Sequence, residues 1–212
     1  MPASGRLIAL EGIDGCGKST QAAALAAALG AALTFEPGAT PLGSRLRELL
    51  LAPEAPAPSP RAEALLMAAD RAEHVTRVLK PALAAGEWVV TDRYAGSTIA
   101  YQGYGQGLDP VALAELVAWA TGGLAADLSV LVDVEVEVAR TRLAAAGRGR
   151  ADRLEGLGAT FAQRVRDGFA AQAAADPDHW VVVDGTLEPH ALTAHIVASV
   201  RARFDDAPSG RT

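Results

Sequence analysis

Several things are scarce in this 212-residue chain, and each scarcity excludes something. Cysteine occurs once, at Cys16, which rules out an internal disulfide and fits a reducing compartment. Lysine occurs only at Lys18 and Lys80, so any further anion site must be built from arginines, whose guanidinium forks suit phosphate geometry. No apolar run approaches the ~18 residues of a membrane span. The segment Met1-Pro2-Ala3-Ser4-Gly5-Arg6 lacks the apolar core of a signal peptide, so the expected location is cytoplasmic. A net charge of −6 argues against a nucleic-acid binder, which needs a basic face. Half of the residues are hydrophobic, and at this length a single α/β domain spanning 1–212 is the natural expectation.

What is present is organised by Gly12-Ile13-Asp14-Gly15-Cys16-Gly17-Lys18-Ser19, which fits the phosphate-binding pattern G-x-x-x-x-G-K-[ST]. Leu7-Ile8-Ala9-Leu10 before it reads as a buried strand. Thr20-Gln21 after it opens an alanine-rich helix to Leu29, stopped by Gly30. This is the strand–loop–helix context the motif requires. The glycines turn backbone N–H groups toward one point at a helix N-terminus, Lys18 reaches the β- and γ-phosphates, and Ser19 is the expected Mg²⁺ ligand. Gly12 to Thr20 is therefore the expected nucleoside triphosphate site. Asp14 is its anomaly, since a carboxylate repels phosphates unless it points away. It is either a solvated loop acid or a group that accepts a hydrogen bond from a hydroxyl on a second molecule. Cys16 is expected to be a small filler.

Further strands are expected at Ala32–Phe35, Trp88–Val90 running into Asp92, Leu128–Val132 ending in Asp133, and His179–Val183 followed by Asp184. Helices are expected at Pro41–Leu51, Arg61–Ala85 with a break near Pro81, Asp109–Ala120, Glu135–Ala146, Thr160–Ala175 and Glu188–Phe204. Strands alternating with helices imply a five-stranded parallel sheet covered on both faces, with ligands beyond the carboxyl ends of its strands. The P-loop, Glu36, Asp92-Arg93, Asp133 and Asp184 all fall at such ends, some of them as ordinary strand-end caps. Residues 52–60 read as an exposed connector and 205–212 as a flexible tail.

Two sets of residues need each other. The triphosphate cradle has one cation, Lys18. Late in the chain, glycine-bracketed 147–158 carries Arg148, Arg150 and Arg153 and reads as a mobile lid that brings an arginine onto the transferring phosphoryl group. A solvated charge cluster is the alternative. Arg93 is placed to fork onto a monophosphate, with Asp92 holding a Mg²⁺ water or steering Lys18; a structural Asp-Arg pair has the same sequence. Arg45 and Arg47 are available to a ligand. Arg71 shares a helix face with Met67 and is either a snorkelling surface arginine or a reader of substrate.

Four stretches resemble the thymidylate kinase family: Glu11 to Thr20, Glu36-Pro37-Gly38-Ala39-Thr40-Pro41-Leu42, Asp92 to Gly103, and Asp152-Arg153-Leu154-Glu155. The third is the most specific, because general P-loop kinases lack Asp-Arg-Tyr followed by Ser-x-x-Ala-Tyr-Gln. The resemblance covers Leu7 to Val200. It implies a P-loop nucleoside monophosphate kinase fold and phosphoryl transfer from ATP to thymidine monophosphate, with Mg²⁺ held at Ser19 and Asp92, in a homodimer. It implies Lys18, Asp92, Arg93 and the lid arginines as catalytic residues. For the acceptor it implies Asp14 on the sugar 3′-hydroxyl, Arg93 on the phosphate, Arg71 and Thr98 on the thymine edge, and Tyr101 beneath the sugar. Glu36, Pro37, Arg45, Met67, Ser97 and Gln102 complete that pocket. Two positions depart from the family pattern. Met67 stands where the family stacks a Phe on the base, and Phe35 stands where bacterial members carry an Arg, so that either one acceptor-side cation is missing or Arg45 replaces it.

Overall fold

The structure is a computed structural model and describes residues 5–52, 54, 56–146 and 153–205. Arg148, Arg150 and most of the predicted tail therefore lie outside the described residues. Five strands, β1 (Leu7–Glu11), β2 (Ala32–Phe35), β3 (Val89–Asp92), β4 (Leu128–Asp133) and β5 (Trp180–Asp184), form one parallel sheet in the order β2-β3-β1-β4-β5. The central strands are short and apolar because helices cover both faces. Ile8 and Leu10 on one side of β1 join a core with Leu25, Val130, Phe169 and Ile196. Leu7 and Ala9 on the other side pack with Val75, Leu79 and Tyr94.

The helices are α1 (Lys18–Leu29), α2 (Pro41–Leu51), α3 (Pro60–His74), α4 (Lys80–Ala84), α5 (Ala95–Thr98), α6 (Pro110–Thr121), α7 (Val136–Ala145), α8 (Ala159–Ala175) and α9 (Pro189–Asp205). Their ends carry the caps the sequence announces. Gly30 is left-handed and donates to Ala26 and Ala27, and Asp109 accepts from the Val111 N–H ahead of Pro110. α5 and the helical segment after it fall in a stretch for which the sequence predicts no element; the expected strands and helices begin and end within a residue or two of expectation, with one exception.

That exception is the stretch expected as a helix from Arg61 to Ala85. It is two helices joined by π-helical Val75–Leu79, in which the Lys80 N–H reaches back five residues to the Val75 carbonyl. Pro81 explains the widening: it has no N–H to return to the turn before it, so the break falls ahead of the proline and not at it. A second π-helical segment, Ile99–Gly105, follows α5 and carries Tyr101. A Cβ on Gly105 would come within 2.6 Å of the Phe161 ring, so this glycine lets α8 close against the segment.

Strand order brings the functional loops together. Leu10 pairs with Asp92 across β1–β3, and Phe35 pairs with Asp92 across β2–β3. The P-loop after β1, Arg93 after β3 and Glu36 after β2 therefore emerge side by side. The two lysines are distributed very differently: Lys18 is buried at the start of α1, and Lys80 is exposed at the start of α4.

Phe169 is fully enclosed and meets Tyr101 edge-on with ring centroids 6.2 Å apart. Phe169→Ala should lower the unfolding free energy by about 3–5 kcal/mol, read from urea or thermal denaturation.

Candidate active site

The P-loop backbone is built by glycines that no other residue could replace without strain. Gly12, Gly15 and Gly17 have φ of 144°, 85° and 99°, and a Cβ on Gly12 would lie 2.6 Å from the Val132 carbonyl oxygen. Ile13 and Cys16 face inward and are buried, so their side chains are withdrawn from the phosphate site and only their backbone can serve it. Burial pushes the Cys16 thiol up, consistent with a packing role. Ser19 and Thr20 are exposed at the N-terminus of α1 and line the donor cleft with Gly15, Gly17 and Lys18.

Asp14 is not a solvated loop acid. Its Oδ1 accepts from Lys18 Nζ at 3.2 Å and from the Arg93 guanidinium, and its Oδ2 accepts from the Tyr101 hydroxyl at 2.7 Å. Burial works against the charge, but Arg93 and then Lys18 outweigh it and hold the carboxyl well below the usual carboxylate range. Arg93 has a left-handed φ of 74°, which is uncommon for a residue with a Cβ. Its side chain donates to the Gly12 carbonyl and Ser97 Oγ, each at 3.1 Å, and to Tyr101 Oη at 2.8 Å, and lies over the Tyr101 ring.

Arg71 is buried and does not snorkel. It donates Nε to Glu36 at 2.8 Å, Nη1 to Thr98 Oγ1 at 2.7 Å and Nη2 to the Tyr94 carbonyl at 2.9 Å. Glu36 in turn bonds His74 Nδ1 at 2.8 Å, while His74 Nε2 meets Thr34 Oγ1 at 2.7 Å. Glu36 thus acts by fixing Arg71 as well as by lining the pocket.

A cavity opens between α2, α3 and the π-helix at Ile99–Gly105. Asp14, Glu36, Pro37, Met67, Arg71, Arg93, Ser97, Thr98, Tyr101 and Gln102 line it, as expected for the acceptor. Arg45 does not. Two residues further along α2 is ~200° around the helix, so Arg47 faces the cavity when Arg45 faces solvent. Arg47 donates to the Pro37 carbonyl at 2.8 Å and lines both the acceptor cavity and the donor cleft. Phe35 lines the donor cleft and offers no charge there. Asp14, Glu36, Arg47 and Arg93 border both spaces, which therefore meet over the strand ends.

Asp92 lines the donor cleft beside Ser19, and its buried Oδ1 has no hydrogen-bond partner among the described residues. An orphaned carboxylate oxygen on a residue that lines the same cleft as a P-loop serine fits Mg²⁺, which takes few protein ligands and the rest from phosphate and water. Arg153, expected on the transferring phosphoryl group, is placed elsewhere: Glu63 and the Leu50 carbonyl hold its guanidinium, and it lines neither space. Asp133 is a bidentate partner of Arg166, at 2.8 Å to each oxygen, and Asp184 caps the Thr186 N–H; both are structural.

Sequence reasoning missed Arg142, Asp70 and Glu11. Arg142 lines the donor cleft and donates to the Cys16 and Gly185 carbonyls, tying the P-loop to the turn after β5. Asp70 accepts from the Gly38 N–H at 3.0 Å, and burial followed by the Glu36 charge pushes it up to about 6. Glu11 accepts from the Tyr94 and Ser97 N–H groups and from Ser97 Oγ, bracing the turn that carries Arg93; burial pushes it up to about 7. An acid closing an apolar strand was the available signal for Glu11.

A phosphate loop facing an arginine-lined acceptor cavity across the ends of a parallel sheet defines a P-loop nucleoside monophosphate kinase. The family model described as thymidylate kinase matches residues 10–196. A Synechococcus protein named thymidylate kinase is 48% identical over 207 residues, covering 91% of this chain and 95% of its own. One from Deinococcus radiodurans is 47% identical over 204 residues, covering 94% and 98%. The solved thymidylate kinase of Ehrlichia chaffeensis superposes with a TM-score of 0.75 at 30% identity, covering 93% of this chain and 99% of its own. The chain belongs to the thymidylate kinase family, and its reaction is ATP-dependent phosphorylation of thymidine monophosphate to thymidine diphosphate.

Glu11 carries a pH test. Its pKa is raised on folding from 4.5 to about 7, so the folded state binds more protons across that window and its contribution weakens as pH rises through it. Asp70 acts in the same direction up to about 6. The stability of wild type relative to Glu11→Gln, measured by urea unfolding, should therefore fall between pH 5 and 7.

Proposed function

We propose that Asp14, Arg47 and Arg93 divide the two nucleotides between the donor cleft and the acceptor cavity. The observation that carries this is the set of groups bordering both spaces, with one carboxylate bonded to the cation of each. Lys18 and the P-loop backbone bind the β- and γ-phosphates of ATP. Arg93 and Arg47 fork onto the acceptor phosphate and aim its oxygen at the γ-phosphorus, so that positioning supplies much of the rate. Ser19 and Asp92 hold Mg²⁺, which when bound draws charge from the phosphate oxygens. Arg71, held flat by Glu36, Thr98 and the Tyr94 carbonyl, reads the thymine edge, with Met67 against the ring. Tyr101 lies under the sugar and leaves little room for a ribose 2′-hydroxyl. Arg148 and Arg150 are the remaining candidates for the arginine on the transferring group.

A homodimer is supported by α2, α3 and α6, which pack side by side and leave Leu42, Leu49, Leu65, Val111 and Trp119 exposed; Trp119 is 82% exposed. No described helix is long and apolar enough to cross a membrane. The cytoplasm is the proposed location, from the reducing cysteine count and the reaction itself.

Coupled ADP release over a panel of acceptors tests the specificity. Thymidine monophosphate should turn over fastest, and equal or better rates with uridine or cytidine monophosphate would remove the thymine-reading roles. Two substitutions test the division of labour. Arg93→Ala should raise the acceptor KM at least tenfold, on the order of a lost charge-assisted bond, with a smaller change in the ATP KM. Asp14→Ala should weaken thymidine monophosphate more than its 3′-deoxy analogue, and equal losses for both would remove the hydroxyl contact.

A further inference from the structure

Glu63 is a buried acid that neither nucleotide site explains. It lies on α3 with no exposed surface, four residues before Met67 and so on the same side of the helix. Its Oε1 accepts from Gln102 Nε2 at 2.7 Å and from Gln106 Nε2 at 2.6 Å, and its Oε2 takes the Arg153 guanidinium. Arg153 also donates Nε to the Leu50 carbonyl at 2.9 Å and its backbone N–H to the Leu51 carbonyl at 3.3 Å. One carboxylate thus joins α3, the π-helix and the chain after residue 152, and Arg153 adds the end of α2. The next residue, Leu154, is buried and lines the acceptor cavity with Met67, Tyr101 and Gln102.

A carboxylate at this depth is tolerated only where donors surround it, and the donors here are Gln102 of the cavity wall, Gln106 just after the π-helix, and Arg153 directly before the wall residue Leu154. The guanidinium that reaches Glu63 does not also reach the donor cleft, whose lining omits Arg153. We propose that Glu63 and Arg153 are positioning residues for the acceptor: their ion pair seats Leu154 and the Gln102 amide against the thymidine monophosphate pocket, and Arg153 does not touch the transferred phosphoryl group. This rests on the acceptor reading given above.

The experiment compares Arg153→Ala, Glu63→Gln and the double variant with wild type. The readouts are steady-state kinetics and calorimetric binding of thymidine monophosphate without ATP, with circular dichroism to verify folding. Each single variant should weaken thymidine monophosphate about tenfold in both KM and Kd, with kcat at saturating acceptor within about threefold and the ATP KM within about twofold. The double variant should lose about as much as either single one, because both remove the same interaction. Arg153→Met, which keeps the stem in place, takes the place of any variant that fails to fold. Contact with the phosphoryl group would give the opposite split, a kcat loss of about 10³–10⁵ with acceptor binding intact, and would overturn the proposal. Unchanged acceptor binding, or losses that multiply in the double variant, would also overturn it. A wild-type chain that bound no thymidine monophosphate would remove the acceptor assignment itself, whereas wild-type turnover with unaltered variants removes only the role of the pair.

Discussion

Lys18 and Arg93 are bonded to the same carboxylate, and the site is laid out around that contact. Two cations this close would repel, and Asp14 between them turns repulsion into attraction. Tyr101 donates to the free oxygen of Asp14 and lies under the Arg93 guanidinium, so both the plane of the fork and its charge are fixed. The meeting is arranged by backbone: Leu10 and Asp92 are partners in the sheet, and the chain leaves both strands in the same direction.

Buried acids brace the cations and turns that border the two spaces. Glu36 holds Arg71 and is itself bonded to His74. Glu11 holds the turn of Arg93, and Glu63 holds the wall near Gln102. A guanidinium reads a planar edge only if its remaining N–H groups are satisfied elsewhere, and a buried acid is the strongest acceptor available for that. The pocket is therefore made rigid from the rear.

What could be read in advance followed from locality. The strands, the helix caps and the P-loop are each specified within a few residues, and the five strand ends predicted one crevice. Ten of the eleven residues expected at the acceptor line one cavity; eight of them sit in contiguous motifs, and Met67 and Arg71 share a helix face. That Arg47 and not Arg45 lines the cavity was not legible, because the rotation of α2 about its axis is set by its packing. The placement of Arg153 was not legible for a different reason: its partner Glu63 is 90 residues away, and no pattern in either segment announces the pair. Arg142 was invisible in the same way, since its acceptors lie in two distant turns. The π-helix at Val75–Leu79 falls before the proline because an absent N–H acts on the preceding turn.

The unequal placement of the two lysines has a practical consequence. Lys18 is shielded within the P-loop, and Lys80 stands exposed on α4 and lines neither nucleotide space. Apart from the amino terminus, an amine-reactive dye or surface therefore meets one accessible primary amine. With the amino terminus blocked, coupling through Lys80 tethers the chain at one point that lies outside both spaces.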